Sequence, residues 1–73
     1  MRKIAHLALD VHARNSVLGD MDDKGAFRGN HSFTTSENNI INALQAVNAQ
    51  VKYLDIEEGT LAHWAAQVAS VVN

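Results

Sequence analysis

A chain of 73 residues allows one small domain, near the size at which a single hydrophobic core becomes marginal. The sequence has no cysteine, which excludes disulfides and the thiolate type of zinc site. Its formal charge of −2, with six Lys and Arg residues, excludes the dense positive field that dominates binding to phosphate backbones. We therefore expect the chain by itself to bind nucleic acid weakly.

The chain starts with an apolar run that is too short for a signal peptide or a membrane span, because Asp10 interrupts it. We expect a cytoplasmic protein with no membrane partner. Residues 3–11 are nearly continuously apolar, a pattern typical of a strand that is covered on both faces. The run predicts a first strand in the centre of its sheet.

Two more strands are predicted next. Residues 16–21 form the second, antiparallel to the first, and the segment Asp22-Asp23-Lys24-Gly25 predicts the hairpin turn that follows it. The third strand covers residues 26–33 and alternates like a half-exposed edge strand. This alternation places four of its residues on one face: Phe27, Gly29, His31 and Phe33.

The second half of the chain predicts helix, strand and helix. Thr34 and Glu37 have the spacing of a capping box, and apolar residues then recur at helical spacing, so the first helix is expected over residues 36–48. A helical crossover would deliver a fourth strand, residues 51–57, parallel to the first strand and beside it. A second helix is expected from Leu61 to the end of the chain. The prediction is an α/β fold of order β-β-β-α-β-α, with a mixed four-stranded sheet in the order 3-2-1-4.

Acidic residues end the first and the fourth predicted strand. Because the carboxyl ends of parallel neighbours share one edge of a sheet, Asp10 and Glu57 are expected side by side, where they could hold a hard cation such as Mg²⁺. His12 could orient a metal-bound water beside Asp10. Asp55 shares the parity of Glu57, but its simplest role is pairing with a cation or contact with solvent. The predicted site therefore consists of Asp10 and Glu57.

Two segments resemble a known family. Residues 7–17, LALDVHARNSV, resemble the opening of the DEDD-type transposases of bacterial insertion sequences, although Ala8 stands where many relatives have Gly. Residues 57–64, EEGTLAHW, resemble the segment that carries the family's catalytic Glu. Glu57 aligns better with that Glu, and Glu58 is the alternative. The likeness covers residues 1–73 as the truncated N-terminal segment of a much longer protein.

The resemblance implies a ribonuclease H-like catalytic domain similar to a Holliday-junction resolvase. It implies DNA strand cleavage and transfer by four carboxylates with Mg²⁺ or Mn²⁺, of which Asp10 and Glu57 would be two. DNA would be the partner of the full-length protein. The resemblance also implies a guide RNA as a second partner. Since two carboxylates are half of a metal site, we expect the segment alone to be inactive and to bind metal weakly or not at all.

Two other functions are compatible with this order of strands and helices. A piece of a larger sheet with an unpaired outer strand could act as a non-catalytic interaction module, and a homodimer is its simplest form. An actin-like kinase has the same opening topology but needs a glycine close to the Asp to cradle phosphates. Val11, His12 and Ala13 follow Asp10 instead, which disfavours a kinase.

Overall fold

A computed structural model describes residues 3–57 and 59–72 of the protein. It has four strands, β1 (Ile4–Val11), β2 (Asn15–Asp22), β3 (Phe27–Thr34) and β4 (Val51–Ile56), and two helices, α1 (Glu37–Ala46) and α2 (Ala62–Ala69). The strands form one mixed sheet in the order β3-β2-β1-β4. β1 is antiparallel to β2 and parallel to β4, and β2 is antiparallel to β3. The predicted α/β class, element order and strand order are confirmed.

Both helices pack on the same side of the sheet. The core joins alternate residues of β1 and one residue of β2 to apolar residues of α1 and α2, and all of them are buried: Ala5, Leu7, Leu9, Leu18, Ile40, Leu44, Val47, Ala65 and Val68. Ala8, between two core residues of β1, is exposed. The prediction that the first strand is covered on both faces is therefore wrong, although the strand is central. A run of apolar residues cannot distinguish one covered face from two when its outward members are as small as alanine.

We call the side of the sheet away from the helices the open face. Alternation along the strands and the pairing registers assign its residues. They are Ile4, His6, Ala8 and Asp10 of β1, Asn15, Val17, Gly19 and Met21 of β2, Phe27, Asn30, Ser32 and Thr34 of β3, and Val51, Tyr53 and Asp55 of β4.

Phe27 lies on the open face because β3 has a bulge. Asp20 pairs with Gly29, but Met21 pairs with Phe27, so one extra residue of β3 enters between these pairs. Gly29 has a φ of 150°, which residues with a side chain rarely adopt. The prediction that Phe27 shares a face with His31 and Phe33 is therefore wrong. Strict alternation does not hold across a bulge, and Phe27 is 64% exposed.

The N-cap of helix α1 is not the predicted residue. Ser36, and not Thr34, is the N-cap, and its hydroxyl accepts a hydrogen bond from the backbone N–H of Asn39 at 3.1 Å. Thr34 is still part of β3, and its carbonyl accepts a hydrogen bond from the side-chain amide of Asn39. Neither helix in residues 3–57 and 59–72 is long and apolar enough to cross a membrane.

The turn between β2 and β3 is held by one carboxylate. Asp22 Oδ1 accepts hydrogen bonds from the backbone N–H groups of Ala26, at 2.8 Å, and Lys24, at 2.9 Å. These bonds, that from Ala26 most of all, lower the pKa of Asp22 from its ordinary value of 3.8. Gly25 supplies the positive φ, 83°, that the turn needs.

A pH dependence follows from this turn. Because the pKa of Asp22 is lower in the folded than in the unfolded chain, its carboxylate stabilises the fold above its ordinary pKa, and this contribution is lost as pH falls through the lowered value. We expect Asp22→Asn to flatten the acid-induced loss of stability, measured as urea midpoints at a series of acidic pH values. Asp23→Asn, a change in the same turn, is the control and should keep the wild-type slope. Coincident slopes for all three proteins would show that the Asp22 bonds contribute nothing.

Candidate metal centre

Asp10 lies at the carboxyl end of β1, on the open face, next to the β1–β2 turn. Its side chain is 44% exposed, and its Oδ1 is 3.0 Å from Nε2 of His12. His12 follows the last residue of β1, and its side chain is 71% exposed. The contact places an imidazole nitrogen beside one carboxylate oxygen at the end of the strand.

Glu57 follows β4 directly and continues its pairing with β1. The last pair inside the strands is Leu9 with Ile56, and the backbone N–H of Glu57 then donates to the carbonyl of Leu9 at 3.1 Å. The next residues in the same register are Asp10 and Glu57. Neighbouring strands are about 4.8 Å apart, so the two residues are adjacent at one edge of the sheet and on the same face. The register of β1 and β4 thus continues to Asp10 and Glu57 at this edge of the sheet.

Two other acidic residues lie near this pair in the sequence. Glu58 lies outside the described residues. Asp55 is exposed and lies opposite Ala8, on the same face as Asp10 but two pairs back from the edge. Among residues 3–57 and 59–72, no group of three or more His, Cys, Asp or Glu side chains is arranged to hold a metal ion. The site in this chain is thus a pair of carboxylates, with His12 on one of them.

A hydrogen-bonded chain fixes the turn beside Asp10. Ser16 is fully buried, and its hydroxyl is 2.5 Å from that of Thr35, which donates to the carbonyl of His12, also at 2.5 Å. The backbone N–H of Thr35 donates to the carbonyl of Arg14 at 3.0 Å. Thr35 therefore ties the end of β3 to the turn that carries His12. We found no sequence signal for this contact, because Ser16 and Thr35 are far apart in the chain and meet only through strand pairing.

Two neighbouring carboxylates can bind a divalent metal ion. Oxygen ligands of this type suit Mg²⁺ or Mn²⁺, and Mg²⁺ commonly takes one or two carboxylates and fills its other positions with water and substrate phosphate oxygens. Both residues are open to solvent, so phosphate oxygens could reach a bound ion. Two carboxylates are too few protein ligands for tight metal binding.

Comparison of the chain with family models, with characterised proteins and with solved structures finds no match.

Proposed function

We infer that this chain forms the first part of a ribonuclease H-like transposase domain, in which Asp10 and Glu57 are two of four carboxylates that hold divalent metal for DNA strand cleavage and transfer. One observation carries the proposal: the parallel register of β1 and β4, which makes Asp10 and Glu57 the next pair after Leu9 and Ile56. The resemblance of residues 7–17 and 57–64 to the family supports the same two residues.

Asp10 and Glu57 have different structural surroundings. Asp10 is on a central strand between β2 and β4, so its backbone is fixed on both sides, and its carboxylate lies 3.0 Å from His12. Glu57 has its backbone fixed by Leu9, and its longer side chain can adjust to a ligand. When bound, divalent metal would stabilise the attacking and leaving oxygens of the phosphoryl displacement.

DNA is the proposed substrate, and it must be held largely by other residues. The chain has a formal charge of −2, and the edge with Asp10 and Glu57 is itself acidic, so phosphate would approach only with metal present. A guide RNA is a further proposed partner of the full-length protein. We propose that the chain by itself does not cut DNA, since two carboxylates leave the metal centre half built.

Titration with Mg²⁺ and Mn²⁺ tests this function. Backbone amide signals followed by NMR should move at Asp10 and Glu57 and in the β1–β2 turn, with a midpoint in the millimolar range typical of sites with few charged ligands. Mn²⁺ should broaden the same signals. Asp10→Asn should abolish the saturable shift, because it removes one of two charges from the pair.

Matched variants make the outcome specific. Asp23→Asn removes one carboxylate at the opposite end of the sheet and should leave the titration unchanged. Glu57→Gln and Glu58→Gln, measured in parallel, identify which glutamate is the ligand, and we expect the loss with Glu57→Gln. Shifts that are spread over all acidic residues, or that persist in Asp10→Asn, would refute the metal site.

A further inference from the structure

The exposed hydrophobic side chains of this protein are concentrated on the open face. Four large hydrophobic residues are exposed in the described chain, and three of them are on this face: Phe27 at 64%, Tyr53 at 56% and Met21 at 37%. The fourth, Val71, lies beyond α2. Such a concentration is typical of a surface that binds another molecule.

These residues form one continuous row across all four strands. Phe27 pairs with Met21, Met21 with His6, and His6 with Tyr53. The rings of His6 and Tyr53 are stacked, with centroids 5.1 Å apart and planes 17° from parallel. With strands about 4.8 Å apart, the row is roughly 14 Å long. We call it the aromatic row.

The row next to it has small side chains in its centre. Gly19 pairs with Ala8, and Asn30 and Asp55 are at the two ends. A shallow cavity of about 270 Å³ lies here, lined by His6, Ala8, Met21, Tyr53 and Asp55 among others. A Cβ added to Gly19 would be 3.3 Å from the side-chain oxygen of Asn30, so a larger residue at position 19 would crowd Asn30. The depression can receive an apolar side chain from a partner.

The charge on this face has one sign. Among its strand residues none is Lys or Arg, whereas Asp10 and Asp55 are acidic and Glu57 follows at the edge. Two basic residues of the outer strands make contacts on the helix side instead. Arg28 pairs with Asp20 at 2.8 Å, and Lys52 donates to the carbonyl of Leu44 at 2.7 Å. A partner must therefore combine apolar and cationic groups, which is unfavourable for nucleic acid and for acidic lipid.

We propose that the open face is a docking surface for a cationic amphipathic helix of another protein segment. A helix rises 1.5 Å per residue, so the aromatic row fits about nine to ten residues, or apolar anchors at positions i, i+4 and i+7. Lys or Arg on one flank of that apolar stripe would lie over Asp55, Asp10 and Glu57. This surface does not depend on metal binding and goes beyond the proposed function.

A second copy of the chain does not supply such a helix. The sequences of α1, ENNIINALQA, and α2, AHWAAQVA, contain no Lys or Arg. Their apolar sides are also occupied in the core by Ile40, Leu44, Ala65 and Val68. Charge complementarity thus favours a different segment over self-association.

The test uses an 18-residue helical peptide of Leu and Lys, with Leu at i, i+3, i+4 and i+7 spacing. Its binding, measured by calorimetry in metal-free buffer and mapped by amide NMR shifts, should involve the aromatic row. Two control peptides should bind at least tenfold more weakly: one with Glu in place of Lys, and one of identical composition whose order destroys the apolar stripe.

Matched variants of the protein complete the experiment. The double change Phe27→Ser with Tyr53→Ser should lower affinity at least tenfold, and Asp55→Asn should lower it several-fold at low salt. Val71→Ser and Asp23→Asn, equally exposed changes elsewhere, should leave affinity within twofold. Circular dichroism verifies that each variant is folded.

Several results would overturn the proposal. They are shifts that map to the helices, equal binding of the rearranged or Glu-containing peptide, and affinity that the open-face variants leave unchanged. A dimer in sedimentation that the double variant dissociates would assign the face to a second copy. Preferential binding of a single-stranded oligonucleotide to the aromatic row would assign it to nucleic acid. None of these outcomes bears on metal binding, which the variants of Asp10 and Glu57 test separately.

Discussion

Replacing Leu9 with alanine should lower the free energy of unfolding by about 2–5 kcal/mol, the range for a leucine truncated in a packed core. Leu9 is 1% exposed and lies on the central strand between Leu18 and Ile56. A domain of this length has a total stability of only about 4–11 kcal/mol, so this single change removes a large part of it. The same strand carries Asp10, so loosening this strand should also weaken binding at the proposed metal site.

Urea unfolding followed by circular dichroism measures this loss. Val71→Ala is the control, because Val71 is 67% exposed, and its truncation should change stability by less than about 0.5 kcal/mol. Mg²⁺ titration of Leu9→Ala, under conditions where it remains folded, should show weaker shifts at Asp10. If Leu9→Ala were no more destabilising than Val71→Ala, the packing of α1 and α2 on this face of the sheet would be wrong.

Replacing Thr35 with valine should cost about 1–3 kcal/mol, although the two side chains have nearly the same shape. Valine can neither accept the hydrogen bond from Ser16 nor donate one to the carbonyl of His12. Ser16 is fully buried, so its hydroxyl would be left without a partner and without water. The β1–β2 turn, which holds His12 against Asp10, would lose one of its two ties to Thr35.

The neighbouring residue provides a matched control for this change. Thr34 is exposed, so Thr34→Val should leave the unfolding free energy nearly unchanged. Amide shifts at Asp10 and His12 should differ from wild type in Thr35→Val and not in Thr34→Val. Removing both hydroxyls, in Ser16→Ala with Thr35→Val, should be less costly than removing the Thr35 hydroxyl alone, because no buried donor is then unsatisfied. A greater cost in the double variant would contradict this explanation.

Two errors in the predicted fold arose where the chain departs from a regular repeat. Thr34 was predicted as the helix cap, but it is still part of β3, whose extent is set by its pairing with β2, and the cap is Ser36. Phe27 was placed on the wrong face because one extra residue in β3 reverses the alternation before it. Pairing with β2 determines both features, so the local sequence gives little indication of them.

The order of the elements was predictable because each has a local pattern. A nearly continuous apolar run predicted β1, a mostly apolar run after the first helix predicted β4, the segment before Gly25 predicted the hairpin, and helical spacing predicted α1 and α2. The strand order followed from the rule that a helical crossover joins parallel strands. These predictions depend on interactions between residues close in sequence, and such interactions act in the same way whatever the rest of the chain does.

Local pattern alone places Asp10 near the end of β1 and Glu57 directly after β4, because an acidic residue after an apolar run can be identified without knowledge of its neighbours. Their position beside each other depends on the register of β1 against β4, which side-chain packing sets across the whole sheet. The same long-range pairing aligned Phe27, Met21, His6 and Tyr53 into one row. Four residues from four strands share no local pattern, so their common surface arises only when the sheet forms.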